Sequence, residues 1–200
     1  QDGLELDVAN TLSKIESELA KSTTSSSTPI ELAVNEIKSA VSIGNINDMG
    51  IKEIIGTGES NFKGSPKNRR HNIKVGADTL NGLLIKPGEE FSTMKALGKI
   101  DGSTGYLPEL VIKDNKTTPE FGGGLCQIGT TMFRATLASG LLITARRNHS
   151  YRVPYYEPAG TDATIYDPWP DFKFINETNN YILIQTKIDG DNLYFDFCGA

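Results

Sequence analysis

The sequence predicts an α+β fold in which an antiparallel sheet packs with a few helices. Three observations support this class. Apolar residues recur at helical spacing over residues 69–80. A stronger helical pattern covers about residues 125–139, directly after three consecutive glycines. From residue 141 onwards, short β-branched and aromatic runs alternate with turn residues, which predicts successive strands, and Asp189-Gly190-Asp191 supplies a hairpin turn between the last two.

The domain boundary is expected at residues 55/56. Residues 1–55 predict a small α+β segment, and residues 56–200 predict the main domain. The elements expected in the first segment are an amphipathic helix over 5–20, a strand over 29–34, a weaker helix over 35–41 and a strand over 51–55.

The main domain is expected to begin with a helix and to end with a run of strands. Its predicted elements are a helix over 69–80 that stops at Gly82, strands over 83–85 and 110–112, a helix over about 125–139, and strands over 141–145, 151–156, 164–166, 172–175, 181–187 and 193–197.

Bulk composition excludes several function classes. The chain has 200 residues, a net charge of -5 and a pI of about 5.1, so no basic surface indicates a nucleic-acid partner. No run approaches the ~18 apolar residues of a membrane-spanning helix. Short metal-ligand spacings such as C-x-x-C are absent, so no metal or other cofactor is predicted. Nothing in the sequence indicates an oligomeric state.

The segment around Cys126 carries the clearest chemical signal. Gly122-Gly123-Gly124-Leu125 precedes the cysteine, and a predicted helix follows it. Glycines let a substrate chain approach the backbone closely, and a thiol in the first turn of a helix lies at the positive end of its dipole, which favours thiolate. Backbone amides from Gly124 to Gln127 are expected to hold an oxyanion. Cys126 is therefore the candidate nucleophile.

His149 is the candidate base. A helix of about 14 steps travels roughly 21 Å from Cys126, and an extended return over residues 141–149 covers about 26 Å. An antiparallel return therefore brings His149 back to the level of Cys126, in the order Cys, His, Asp used by papain-like and transglutaminase-like cysteine enzymes. Asp162, Asp167 and Asp171 are all candidates to orient the imidazole, and a simple hairpin count favours Asp167.

Two other interpretations of Cys126 stay open at this point. A disulfide with Cys198 across 72 residues would stabilise the fold by roughly 4 kcal/mol in the chain-entropy model. A buried structural thiol is the second.

Several motifs together resemble the VanW domain over about residues 56–187. They are Arg70-His71-Asn72-Ile73, Asn81-Gly82, Pro87-Gly88-Glu89-Glu90-Phe91-Ser92, Gly122-Gly123-Gly124-Leu125-Cys126-Gln127, Thr130-Thr131, Arg147-Asn148-His149-Ser150, Gly160-Thr161-Asp162-Ala163-Thr164 and Asp171-Phe172-Lys173-Phe174-Ile175-Asn176. Residues 1–55 are similar, more loosely, to a peptidoglycan-binding domain that often precedes VanW domains.

The resemblance implies an exported bacterial protein, extracytoplasmic and associated with the cell wall, whose partner is peptidoglycan or a cell-wall peptide. It marks Cys126, Gln127, His149 and Asp162 as family-motif positions, which places Asp162 ahead of Asp167. The leading hypothesis is a thiol hydrolase or transferase acting on cell-wall peptide or amide bonds. Its expected catalytic residues are Cys126, His149 and Asp162, and its expected substrate-binding residues are Gly123, Gly124, Gln127 and Arg147. The alternative is a non-catalytic peptidoglycan-binding or structural surface module.

Overall fold

The chain forms two compact units, residues 1–47 and residues 48–200. The computed structural model describes residues 3–21, 29–37, 49–113 and 116–200. Strand β3 (Glu53–Asn61) belongs wholly to the second unit, so the structural division lies ahead of the 55/56 boundary expected from composition.

The first unit is a helix flanked in sequence by two paired strands. Strand β1 (Gly3–Leu6) runs antiparallel to β2 (Val34–Ile37), and helix α1 (Val8–Lys21) lies between them in the chain. The helix predicted over residues 35–41 is wrong for residues 35–37, because pairing with β1 prevails over a weak helical pattern; residues 38–41 lie outside the described part of the chain.

The second unit mixes helices with antiparallel sheets, which confirms the α+β class. After β3 its elements are α2 (Lys67–Leu80), β4 (Leu84–Ile85), β5 (Glu90–Ser92), α3 (Thr93–Leu97), β6 (Pro108–Lys113), β7 (Lys116–Phe121), α4 (Cys126–Ser139), β8 (Leu142–Ala145), β9 (Lys173–Ile175), β10 (Ile182–Asp189) and β11 (Asn192–Gly199).

The described residues of this unit form three sheets. The largest has the strand order β3-β11-β10-β4, the second has the order β5-β9-β8, and β6 and β7 form a separate hairpin. Strands β10 and β11 pair from Leu183↔Cys198 to Asp189↔Asn192, so the predicted closing hairpin is confirmed. The first two sheets meet through aromatic rings: Phe174 of β9 stacks on Phe197 of β11 with ring centroids 5.3 Å apart.

Helix α4 packs directly on strand β3, and two glycines allow the close approach. A Cβ on Gly58 would lie 2.0 Å from the carbonyl oxygen of Thr131, and a Cβ on Gly56 would lie 2.1 Å from Ser139 Oγ. On the helix side, Ile128, Met132 and Ala135 are fully buried. Cys126 is therefore the first residue of a helix that is fixed to the largest sheet.

Two predicted strands of the main domain are wrong, and in the first segment the strand predicted over 29–34 is wrong for residues 29–33. Residues 151–156 and 164–166 are not strands; a short 3₁₀ helix, Pro154–Tyr156, is the regular structure in this stretch. Here the carbonyl oxygens of Tyr156 and Glu157 accept hydrogen bonds from the Arg134 side chain rather than from a neighbouring strand. The alternating apolar residues that predicted strands here belong instead to an irregular segment that packs against α4.

Three short elements were not predicted from the sequence. Strands β5 and β7 and helix α3 are only three to six residues long, too short to produce a clear periodic pattern. Helix α3 depends on side-chain caps: Ser92 Oγ accepts from Lys95 N at 3.1 Å, and the buried Asp171 accepts from Met94 N at 3.0 Å. Within the described residues, no helix is long and apolar enough to cross a membrane.

We predict that Gly58→Ala destabilises the second unit by about 1–3 kcal/mol, because the added methyl overlaps backbone atoms of α4. Urea unfolding measures this difference. The control is Gly102→Ala, where a Cβ would find ordinary contacts at 3.4 Å, with an expected change within about 0.5 kcal/mol. Equal stability of the two variants would show that the α4–β3 approach is not tight.

Candidate functional site

Cys126 is the first residue of α4, and its sulfur faces the segment that contains residues 164 and 165. Cys126 Sγ lies 3.5 Å from Thr164 Oγ1 and 3.5 Å from the carbonyl oxygen of Ile165. The side chain is partly buried. The helix start fixes the Cα, and the two oxygen contacts fix the direction in which the thiol points.

The glycines before Cys126 are required by packing of the loop. A Cβ on Gly123 would lie 2.8 Å from Glu109 Cβ, and one on Gly124 would lie 2.8 Å from Arg69 Cγ. Gly124 also has a φ of 113°, which L side chains rarely adopt. The close approach that the sequence predicted is therefore made by β6 and α2, while a substrate-binding role for Gly123 and Gly124 stays a prediction.

His149 is hydrogen-bonded to the Asp162 carboxylate and interacts electrostatically with the Cys126 thiol. Asp162 Oδ2 lies 2.6 Å from His149 Nδ1 and also accepts the backbone N–H of His149 at 2.8 Å. Because Nδ1 is engaged by the carboxylate, the other ring nitrogen is the one free to share a proton with the Cys126 sulfur. The structure thus brings together the three residues predicted to be catalytic.

The other two carboxylates considered for orienting His149 lie elsewhere. Asp171 is buried and accepts from Ser92 Oγ at 2.6 Å and from Met94 N, where it caps α3. Asp167 is exposed. The hairpin count that favoured Asp167 assumed two paired strands that do not form, and Asp162 is the carboxylate that contacts the imidazole.

The pKa values of Cys126 and His149 shift in the directions that favour the charged form of each side chain. Burial raises the pKa of the Cys126 thiol, but the hydrogen bond and positive charge of His149 outweigh it, so the net shift is downward. Burial lowers the pKa of His149, and its contacts with Cys126 and then Asp162 reverse this, so the net shift is upward. Both shifts widen the pH range in which a thiolate–imidazolium pair exists.

Gln127 is fully buried, and its side chain belongs to an internal polar network. Its Nε2 donates to Ser60 Oγ at 2.6 Å and to the Asn61 carbonyl at 3.2 Å, while Oε1 accepts from Arg69 Nη2 at 2.9 Å. The same Arg69 nitrogen donates to the Tyr156 hydroxyl at 3.3 Å. With all its polar atoms engaged inside the protein, Gln127 positions Arg69 rather than presenting its amide to a ligand.

One face of α4 binds the irregular segment opposite it. Thr130 Oγ1 accepts from Ala163 N at 3.1 Å and donates to the Ala163 carbonyl at 3.2 Å. The Arg134 guanidinium donates to the Tyr156, Glu157 and Thr161 carbonyls. Sequence reasoning assigned no role to these two side chains, although the spacing of four residues from Cys126 to Thr130 to Arg134 places all three on one helix face.

A cleft of about 420 Å³ opens beside His149. It is lined by residues between Arg146 and Asp162, and Cys126 is not one of them. Arg146, not the predicted Arg147, lines this cleft; its Nε donates to the Asp162 carbonyl at 2.9 Å and its guanidinium lies 4.7 Å from the Phe133 ring centroid. The Arg147 side chain is exposed, and its backbone carbonyl accepts from Thr164 N.

The disulfide between Cys126 and Cys198, which the sequence left open, does not form. Both Cys126 and Cys198 are free thiols. Cys198 lies in β11 beside a β-bulge, its Sγ is 3.6 Å from Gln185 Oε1, and burial raises its pKa. Within the described part of the chain, no group of three or more His, Cys, Asp or Glu residues could hold a metal ion.

Comparison with known proteins places this arrangement in a family. The family described as "VanW like protein" matches residues 68–198. The uncharacterized protein YoaR of Bacillus subtilis (strain 168) is 36% identical over 132 residues, which cover 66% of this chain and 43% of YoaR. The vancomycin B-type resistance protein VanW of Enterococcus faecalis (strain ATCC 700802 / V583) is 36% identical over 132 residues, covering 64% of this chain and 48% of that protein.

The chain spans less than half the length of these two relatives. No solved structure matches it. The family match covers well over half of the chain and includes every element that carries the Cys126, His149 and Asp162 side chains. The chain therefore belongs to the VanW-like family.

Proposed function

We propose that this protein is a cysteine-dependent hydrolase or transferase that acts on peptide or amide bonds of the bacterial cell wall, outside the cytoplasm. The observation that carries the proposal is the pairing of His149 with the Asp162 carboxylate at 2.6 Å, in a position where the imidazole interacts electrostatically with the Cys126 thiol. The wall context comes from the family resemblance, and one relative is named for vancomycin resistance.

The proposed reaction begins with the thiolate of Cys126 attacking the carbonyl carbon of the scissile amide. The tetrahedral intermediate collapses as the C–N bond breaks, and the imidazolium of His149 gives its proton to the leaving amine. Water, or an acceptor amine in a transfer reaction, then attacks the thioester and loses its proton to His149, and the C–S bond breaks to release the acyl product and regenerate the Cys126 thiolate. Asp162 holds the ring orientation through both steps, and Arg146 in turn holds Asp162.

Lowered thiol pKa supports this chemistry over a structural role for Cys126. A structural thiol buried among apolar groups has a raised pKa, as Cys198 has. The pKa of Cys126 shifts in the opposite direction although this thiol is also shielded from solvent, because the hydrogen bond and positive charge of His149 outweigh burial. Desolvating an imidazolium and a carboxylate costs free energy. Partly buried ionisable groups with shifted pKa values cluster at functional sites, which supports a functional role for this pair.

A non-catalytic wall-binding module is the second candidate, and the cleft beside His149 is the observation that favours it. The cleft is bounded by residues 146–162, and Cys126 does not line it. Exposed aromatic side chains also occur on this segment, including Tyr151 and Tyr155. In this reading the cleft binds peptidoglycan without cleaving it.

We predict that Cys126→Ala abolishes turnover of purified peptidoglycan fragments while leaving the thermal unfolding midpoint within a few degrees of wild type. The reason is that the substitution removes the attacking atom and leaves α4 packed on β3. Release of new amino groups, followed by mass spectrometry of the fragments, measures turnover. Wild-type protein that binds purified wall but releases nothing, with Cys126→Ala binding equally well, would favour the binding module.

We predict that, at pH 6, iodoacetamide alkylates Cys126 much faster than it alkylates the thiol of N-acetylcysteine. A lowered thiol pKa leaves thiolate present at a pH where a free cysteine, with a pKa near 8.5, is almost entirely protonated. Peptide mass spectrometry separates the product from that of Cys198, whose pKa is raised. An alkylation midpoint equal to that of N-acetylcysteine would refute thiol activation.

Asp162→Asn is expected to slow the alkylation of Cys126 at pH 6 by about tenfold. The neutral amide lowers the pKa of His149, the imidazolium is lost at a lower pH, and the thiolate loses part of its stabilisation; a change of one pKa unit corresponds to about tenfold. Asp167→Asn is the matched control, because Asp167 is exposed and is not in contact with His149. Equal rates in the two variants would remove Asp162 from the mechanism.

A further inference from the structure

Part of the loop before Cys126 is already engaged in internal hydrogen bonds. The sequence predicted that backbone N–H groups from Gly124 to Gln127 hold the oxyanion. Two of these four already donate within the loop: Leu125 N to the Gly122 carbonyl at 3.0 Å and Gln127 N to the Gly124 carbonyl at 2.9 Å. A further donor near the sulfur would add to the remaining amides, those of Gly124 and Cys126, in stabilising an oxyanion.

Tyr156 is a buried hydroxyl beside the proposed catalytic pair. It is 3% exposed, and its ring centroid lies 5.2 Å from that of His149 with the planes tilted by 34°. Arg69 Nη2 donates to its oxygen at 3.3 Å. Within the described part of the chain, this oxygen has a donor but its own O–H has no acceptor, so the hydrogen is free for a ligand atom in the site.

The surroundings of Tyr156 keep it protonated and make it a strong donor. Burial raises its pKa well above the usual value, and the neighbouring Cys126 charge adds to the effect. The hydroxyl therefore cannot act as a base. Because Arg69 donates a charge-assisted hydrogen bond to the phenol oxygen, the O–H is polarised and donates more strongly to an anion.

The position of this group is itself held from two sides. Arg134 of α4 donates to the Tyr156 carbonyl at 2.7 Å, and Gln127, the residue after Cys126, binds Arg69. A hydroxyl that is fixed by the helix carrying the nucleophile costs little reorganisation when charge develops beside it.

We propose that Tyr156, polarised by Arg69, donates a hydrogen bond to the oxyanion that forms when Cys126 attacks a carbonyl carbon. This inference rests on the proposed function and narrows it: the centre is built for acyl transfer from a carboxamide or ester rather than for thiol–disulfide exchange, which forms no oxyanion. Tyr156 is then a catalytic residue, and Arg69 is its positioning residue.

The test compares two reactions of the same sulfur. p-Nitrophenyl acetate acylates Cys126 through a tetrahedral oxyanion and releases p-nitrophenolate; iodoacetamide alkylates it by displacement of iodide, with no oxyanion. The rate of acylation divided by the rate of alkylation, relative to the same ratio for N-acetylcysteine, reports oxyanion stabilisation alone. Wild-type protein is expected to exceed N-acetylcysteine in this ratio by at least tenfold.

Tyr156→Phe is expected to slow acylation by about 10²-fold and to leave the rate and pH profile of alkylation unchanged, because it removes one oxyanion donor and keeps the ring against His149. Arg69→Met is expected to act in the same direction with a smaller effect, and Arg69→Lys to recover part of the loss. Tyr194→Phe is the control, because it removes a tyrosine hydroxyl on β11 that hydrogen-bonds to Glu59 Oε1 at 3.1 Å and is not part of the proposed site.

The outcomes separate this inference from the proposed function. A wild-type ratio equal to that of N-acetylcysteine, or a Tyr156→Phe variant that slows both reactions equally or neither, overturns the role of Tyr156 while rapid alkylation at pH 6 still supports an activated thiol. Slow alkylation of the wild type at pH 6 instead overturns the proposed function itself.

Discussion

The site depends on the hydrogen bonds between one face of α4 and the irregular segment opposite it. That segment, residues 146–172, pairs little with any strand, so its backbone carbonyls need other donors. Arg134 and Thr130 supply them. Because Cys126 begins the same helix, its thiol and the segment carrying His149 and Asp162 are held in one frame.

Electrostatics in this frame follow from partial burial with paired charges. The imidazole is buried enough for solvent to screen its neighbours weakly, yet it is flanked by a carboxylate on one side and a thiol on the other. Arg146 compensates the second oxygen of Asp162. The charged forms of these four groups, a thiolate, an imidazolium, a carboxylate and a guanidinium, alternate in sign, so each group favours the charged form of the next.

Sequence reasoning identified Cys126 and His149 because their positions depend on local structure. The helix start after three glycines and the length of the chain back to His149 can both be read from the sequence. Together they predicted that the two residues lie close to each other. The choice among Asp162, Asp167 and Asp171 was different, since it depended on how a segment without regular structure folds. Strand counting gave Asp167, the resemblance gave Asp162, and only the latter contacts the imidazole.

The sequence by itself determined the α+β class, the long helices and the closing hairpin, because periodicity and turn residues encode them directly. Only the tertiary structure decided which side chains surround the thiol. Gln127 turned inward, Arg146 replaced Arg147 at the cleft, and Arg69 met Tyr156 across 87 positions of the chain. Such contacts arise from the path of an irregular segment whose hydrogen bonds go to side chains, and no repeating pattern records that path.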